Sequence, residues 1–152
     1  ILNIMIEVKI YRVNPSIELP KFATEGSACF DLRYYAEDGK DFVLEPGKTH
    51  LVPTGLFFDL PPNTVMHVFC RSGLGSKGIM LGNGVGVIDW DYVGEVNGIL
   101  HNASDVPYII KPNERIMQAY VKYLEPTMIR PTEIKPTQKT SRSGGYGSTG
   151  KN

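Results

Sequence analysis

The sequence predicts an all-β domain, a sandwich, barrel or jelly roll, and three observations carry that prediction. Short runs in which apolar and polar residues alternate recur along most of the chain, the period-two pattern of strands with one buried face. The runs are punctuated by 16 glycines and 11 prolines, residues that accept the φ values of tight bends between antiparallel strands. No segment shows the apolar period of an amphipathic helix beyond one turn near 72–77, which excludes a parallel sheet built from strand–helix–strand units. At 152 residues the chain is long enough for one domain with its own core.

The elements follow in order. IMIEVKIYRV, from Ile4 to Val13, alternates throughout and reads as the first strand. CFDLRYYA (29–36), DFVLEPGK (41–48) and THLVPTGLFFDL (49–60) come next, with EPGK supplying a turn. LPPN makes the bend before TVMHVFCR (64–71), and a glycine-rich middle leads to GEVNGILHN (94–102), VPYIIKP (106–112) and RIMQAYVKYL (115–124). From Pro126 the composition shifts to Pro, Thr, Lys, Ser and Gly, and apolar residues thin out. The expectation is a domain over residues 1–130, with 131–152 crossing the surface and ending as a flexible arm. There is no internal repeat.

Charge and cysteine content exclude several classes. Sixteen basic residues balance sixteen acidic ones, so no overall field draws the chain to nucleic acid or an anionic membrane, and any phosphate site must be a local cluster. Cys29 and Cys70 form no CxxC and have no histidine pair at metal-ligand spacing, so they read as buried free thiols of a reducing compartment. The first ten residues are too short and too quickly acidic, at Glu7, for a signal peptide, and nothing approaches a membrane span. The expected location is the cytoplasm, or a host's cytoplasm for a viral chain. Met5 is a candidate start, with Ile1 to Ile4 then an extension.

Five segments carry chemistry. LGNGVGVIDWDYVGEV, Leu81 to Val96, places Asp89 and Asp91 two apart beside Tyr92 in an apolar hairpin. On a strand both carboxylates would point the same way, with Trp90 opposite. Turn-forming aspartates at a polar tip are the plain reading, and a general base bordered by the Tyr92 ring is the functional one. FCRSGLGSKGIML, Phe69 to Leu81, ends a strand at Arg71 and opens a tight turn at Ser72 and Gly73. A planar guanidinium fork, a hydroxyl and approachable amides suit a phosphate, although a helix N-cap serine explains Ser72 equally well. Asp31 lies between Phe30 and Leu32, as an internal hydrogen-bond acceptor or a participant in a metal site. In NERIMQAYV, Arg115 and Gln118 stand three apart on a strand, so they are expected to face opposite ways, with only one reaching a ligand. SRSGGYGSTG, Ser141 to Gly150, offers Arg142, an aromatic ring, hydroxyls and bare amides.

The ending GGYGSTGKN imitates the first seven positions of a phosphate-binding loop. Its eighth position is Asn152, not Ser or Thr, and no strand–loop–helix context surrounds it, so that reading fails.

Taken together and in this order, RSGL, GVID-DY-GE, ERI-Q and GGYGSTG resemble the trimeric dUTPase family, from about Ala23 to Gly150. The resemblance implies a jelly roll (a distorted β-barrel) that forms a homotrimer, with sites at subunit boundaries, cleaving dUTP to dUMP and pyrophosphate with Mg²⁺. It implies that Asp89 activates a water for in-line attack on the α-phosphorus, and that the Tyr92 ring lies under the deoxyribose and leaves no room for a 2′-hydroxyl. Asn83 and the backbone around Val87 and Ile88 would meet uracil's polar edge, with Asn97 contributing through its backbone more than its side chain. Arg71, Ser72, Gly73 and Gln118 would hold phosphates, and Asp31 would reach the metal through a water. Arg142 and the arm would close over the nucleotide, with Tyr146 stacking on uracil and Gly147, Ser148 and Thr149 wrapping the triphosphate.

The chain departs from the family's pattern at Val93, often Arg or another polar residue, at Cys29, commonly Gly, at Cys70, frequently Pro or Gly, and at Tyr146, usually Phe. None touches the base, and the Val93 change is expected to alter trimer packing with the chemistry retained. Two rival readings stand beside the first. One is a dCTP deaminase of the same fold, for which Glu95 is the only acid to nominate. The other is a trimer that binds dUTP only to regulate a partner or serve a structural role.

Overall fold

The computed structural model describes residues 5–141, and strands dominate it. Eleven strands occur among the described residues: β1 (Lys9–Arg12), β2 (Phe30–Arg33), β3 (Phe42–Leu44), β4 (Thr49–Val52), β5 (Leu56–Asp59), β6 (Thr64–Cys70), β7 (Ile79–Leu81), β8 (Gly86–Asp89), β9 (Gly98–Asn102), β10 (Tyr108–Ile110) and β11 (Arg115–Tyr123). One helical turn, α1 (Ser72–Gly75), falls where the sequence predicts it.

All strand pairings are antiparallel. A four-stranded sheet runs β2-β11-β6-β8 and a three-stranded sheet runs β4-β9-β7, with the pairs β1-β5 and β10-β3 beside them. Neighbours in these sheets are distant in sequence, so the chain repeatedly leaves one sheet for another, and the result is a jelly roll. The run predicted over 49–60 divides into β4 and β5 in different sheets. The break is at Pro53, which has no N–H to give a ladder. The predicted run 94–102 narrows to β9 because residues 94–97 serve instead as the crossing between sheets.

The core is aliphatic. Leu32, Leu44, Met66, Leu100, Ile110 and Ile116 are fully buried, and truncating any of them to alanine costs about 2–5 kcal/mol. Met5 to Val13 alternate between exposed and half-buried, as the apolar spacing predicts, although ladder bonds form only over β1. Asn63, in the predicted LPPN bend, takes φ 62°, and its carbonyl accepts from the Leu124 N–H at 2.7 Å. From Leu124 to Ser141 the chain forms no strand and is exposed. No helix among the described residues is long and apolar enough to cross a membrane.

Two polar side chains inside the shell are satisfied by neighbouring protein groups. Buried Asn102 donates to the Leu44 and Val106 carbonyls and accepts from the Ser104 N–H and hydroxyl. The Tyr108 phenol donates to Glu114 Oε1 at 2.6 Å. Burial, followed by that hydrogen bond and the Glu114 charge, pushes the phenol from 10.0 up to about 12. The raised value favours the protonated phenol in the folded state, so its contribution is complete below pH 10 and is lost as pH rises towards 12. Melting temperature is therefore expected to fall across that window, and Tyr108→Phe to fall less steeply, in a calorimetric pH series.

Candidate active site

Two of the clefts that border the four-stranded sheet lie at its opposite edges. The first, of about 350 Å³, is lined by Asn83, Gly86, Val87, Ile88, Asp89, Tyr92 and Asn97, with Leu51, Val68 and Ile99 as apolar walls. It forms where the chain crosses between sheets. β8 pairs with β6 and β9 pairs with β4 and β7, so segment 81–96 is not the ladder hairpin that the sequence suggests. This crossing leaves β8 at a sheet edge. On an edge strand, every second residue turns its N–H and C=O away from the sheet, where a flat polar ligand can pair with them. Val87 and Ile88 lie on that edge.

The strand ends at Asp89, where the Tyr92 N–H donates to the Asp89 carbonyl at 3.1 Å and closes a turn. The strand alternation expected to align Asp89 with Asp91 therefore stops: Asp89 lines the cleft and Asp91 does not. Asp89 is exposed at the rim. Tyr92 follows it, with its phenol donating to the Glu95 carbonyl at 3.0 Å. Two glycines of this region have distinct causes. Gly84 takes φ +72° with open space around it, whereas a Cβ on Gly86 would lie 3.0 Å from the Val68 Cβ. Asn97 Oδ1 is buried and finds no donor among the described residues, which leaves an acceptor in the cleft wall at a cost of about 1–3 kcal/mol.

Glu95 also borders this cleft, but its carboxylate is engaged. The Gly55 N–H donates to Oε1 at 2.7 Å, and the adjoining Val96 carbonyl accepts from the buried Thr54 hydroxyl at 2.6 Å. Glu95 thus staples the crossing segment to the start of β5. Glu95→Gln keeps an acceptor for Gly55, so steady-state turnover is expected to stay within about threefold of the parent, whereas Glu95→Leu strands the N–H at about 1–3 kcal/mol. A deaminating acid at this position would instead make the Gln variant inert.

The second cleft, of about 250 Å³, gathers Asp31, Arg71, Ser72, Arg115, Gln118 and Cys29. Asp31, with its side chain only 16% exposed, accepts from Arg71 Nε at 2.9 Å on one oxygen and from Arg115 Nη1 at 3.2 Å on the other. Two guanidinium groups against one carboxylate leave a net positive charge at a partly desolvated spot, where a screened surface would give little. Ser72 does not cap the helical turn. The N-cap is Arg71, whose side chain makes no capping bond to the turn, and the Ser72 hydroxyl has no hydrogen bond among the described residues. Gln118 Nε2 donates to the Cys70 carbonyl at 3.1 Å, which orients the amide at the cleft.

Arg115 and Gln118 share this cleft, contrary to the expectation that they face opposite ways. The register of β11 against β2 shifts between Arg115 and Met117. That bulge inserts a residue and makes a three-residue spacing act as two. The sign of it in the sequence is the consecutive apolar pair Ile116 and Met117, both fully buried, which breaks the alternation. Arg115 is the cleft residue that the sequence did not place beside Gln118.

Both cysteines are free and half-buried, not buried. Burial, and for Cys29 also the Asp31 charge, pushes the thiols up, so neither is a ready thiolate. Among the described residues no group of three or more His, Cys, Asp or Glu side chains could hold a metal ion. Arg142, Tyr146, Gly147, Ser148 and Thr149 lie outside the described residues.

Comparison with known proteins follows the same lines. The family model described as dUTPase matches residues 15–150. The chain is 42% identical over 152 residues to the deoxyuridine 5'-triphosphate nucleotidohydrolase of Neisseria meningitidis serogroup A, covering 98% of this chain and 99% of that one. A variant of the Staphylococcus bacteriophage 80alpha dUTPase solved with dUpNHpp superposes with TM-score 0.77 at 18% identity, covering 95% and 98% of the two chains. A variant of the dUTPase of S. aureus phage phi11, described as coordinating a structural Mg(II) ion, superposes at 0.72 with 17% identity over 84% and 97%.

Proposed function

The chain belongs to the dUTPase family, and we propose that it hydrolyses dUTP to dUMP and pyrophosphate by attack of an Asp89-activated water on the α-phosphorus. The observation that carries this reading is the pairing of two unlike clefts. One is apolar, with an unpaired strand edge and a carboxylate at its rim; the other is cationic, with a guanidinium pair, a hydroxyl and a primary amide. A deoxynucleoside triphosphate has the matching halves.

In this reading the base enters the first cleft and pairs with Asn83 and the outward-facing backbone groups of the β8 edge around Val87 and Ile88, while Asn97 adds a further polar group. A base with reversed donors and acceptors would strand those groups, which can cost factors of about 10⁴. Tyr92 closes the cleft against the sugar. Arg71 and Arg115 place positive charge where it accumulates on the phosphate oxygens, and Ser72, Gly73 and Gln118 orient the chain of phosphates. Arg142, Tyr146, Gly147, Ser148 and Thr149 are assigned to an arm that covers the nucleotide.

The donor set suits a Mg²⁺ ion that arrives on the triphosphate. No carboxylate cage is present among the described residues, and Asp31, already engaged by two guanidinium groups, fits an outer position reached through water. Bound in this way the ion supplies charge neutralisation on the departing pyrophosphate.

The two clefts of one chain are too far apart to serve one nucleotide. Asp31 aligns through Gln118 with Phe69 on β6, whereas Asp89 aligns with Val65. At about 3.3 Å per residue and about 4.8 Å per strand, four residues along and three strands across give about 20 Å between them. A complete site therefore takes its carboxylate base from one chain and its phosphate cleft from another, which supports the homotrimer. Val93, 86% exposed beside Tyr92, fits a subunit contact.

The direct test is pyrophosphate release with Mg²⁺ from dUTP, set against dTTP, dCTP and UTP. Release from dUTP with little from the others is expected. Ammonia release from dCTP, or dUTP bound and left whole, would overturn the reading.

A further inference from the structure

Gly94 presents a glycine that the path of the backbone does not require. Its φ lies outside the left-handed region, so any residue could adopt its conformation. What the position lacks is space. A Cβ built there would lie 2.4 Å from the Tyr92 phenol oxygen, 2.6 Å from its Cζ and 3.1 Å from its Cε2, and these three ring atoms are its nearest neighbours. Such separations are far inside van der Waals contact. The Tyr92 ring therefore lies directly on the bare Cα of Gly94.

The ring is held in that place from two sides. Its phenol donates to the Glu95 carbonyl at 3.0 Å. Glu95 is itself immobilised, since its carboxylate accepts from the Gly55 N–H at 2.7 Å and the next residue's N–H donates to the Leu56 carbonyl at 3.0 Å. Tyr92 is 45% exposed, so core packing does not lock it. A half-exposed aromatic side chain has other rotamers open to it, and the contact with Gly94 and the Glu95 carbonyl selects one of them.

We propose that Gly94 is a positioning residue for sugar discrimination: its missing Cβ lets the Tyr92 ring lie flat against the crossing segment, as the wall that admits a deoxyribose and excludes a ribose. This deepens the functional reading above and rests on it. A wall excludes a single hydroxyl only if it cannot retreat by the width of an oxygen, and the close seat of the ring on Gly94 backs it with main chain. With any side chain at residue 94 the ring must leave that seat and break its bond to the Glu95 carbonyl.

The experiment measures kcat/KM for dUTP and UTP in the full chain, with Mg²⁺, for the parent, Gly94→Ala, Tyr92→Ala and the double variant. Gly94→Ala is expected to lower the dUTP-to-UTP ratio by at least about tenfold. Tyr92→Ala is expected to lower it comparably, and the double variant no further, because both changes remove the same wall. An unchanged ratio in Gly94→Ala overturns the proposal even if turnover of both nucleotides falls, and so does a loss in the double variant that is the full product of the two single losses. If Gly94→Ala does not fold, the double variant decides by its melting curve: removing the ring removes the clash, so folding should return, and continued failure to fold refutes the proposed contact. A parent protein that leaves dUTP whole defeats the functional reading itself, whereas a parent that works and a Gly94→Ala that discriminates as well defeats this inference alone.

Discussion

Asp89→Asn is expected to lower kcat for dUTP by about 10³-fold or more, while affinity for a non-cleavable dUTP analogue stays within a few-fold of the parent. A positioned general base contributes roughly 10²–10⁴ to rate, and the amide keeps the shape and most of the hydrogen bonding of the carboxylate while losing its ability to take a proton. The position supports a clean outcome. Asp89 ends β8, is exposed at the cleft rim and forms no ion pair among the described residues, so no buried partner is left uncompensated. Single-turnover kinetics beside equilibrium binding would separate the effects. A variant that turns over at a tenth of the parent rate, or loses binding and turnover together, would remove Asp89 from the role of base.

Mixing two inactive chains is expected to restore activity, and this is the larger qualitative effect. In the proposed homotrimer, Asp89→Asn would disable the base and Arg71→Ala would open the phosphate cleft, each in every site. If one site combines the rim of one chain with the phosphate cleft of another, random mixed trimers contain sites that escape both changes. Equal mixing then gives about a quarter of the sites intact, against essentially none in either parent preparation. The prediction follows from the separation of about 20 Å between Asp31 and Asp89 that strand register imposes within one chain. Refolding or co-expression of the two variants, followed by pyrophosphate release, measures it. Activity that remains at the level of the separate variants would place base and phosphate cleft in the same chain.

Much of the candidate site was legible because its residues break the local pattern. Arg71, Ser72 and Gly73 end an apolar strand with a charge, a hydroxyl and a bare Cα, and Asp89 and Tyr92 interrupt an otherwise apolar stretch. Such interruptions are costly in a core and stand out against period-two alternation. The direction of Arg115 is hidden for the opposite reason. Its side chain is ordinary for a strand, and its direction depends on a bulge that is visible only as two adjacent buried residues, Ile116 and Met117. The 81–96 segment has the sequence of a hairpin because a turn between two apolar runs looks the same whether the runs pair with each other or with strands elsewhere.

What the sequence determined by itself is local: strand periodicity, the Asn63 bend, the single helical turn at Ser72, and the residue types able to do the chemistry. These depend on side-chain spacing and backbone sterics within a few residues, and such information is written along the chain. Tertiary structure alone decided which strand each run joins, that β8 lies at a sheet edge with Val87 and Ile88 on it, that Asp31 is held between Arg71 and Arg115, and that the two clefts stand at opposite edges of one sheet. Ladder partners and strand register are set by packing between residues distant in sequence, and one residue of slip turns a whole face over. No local pattern contains that choice.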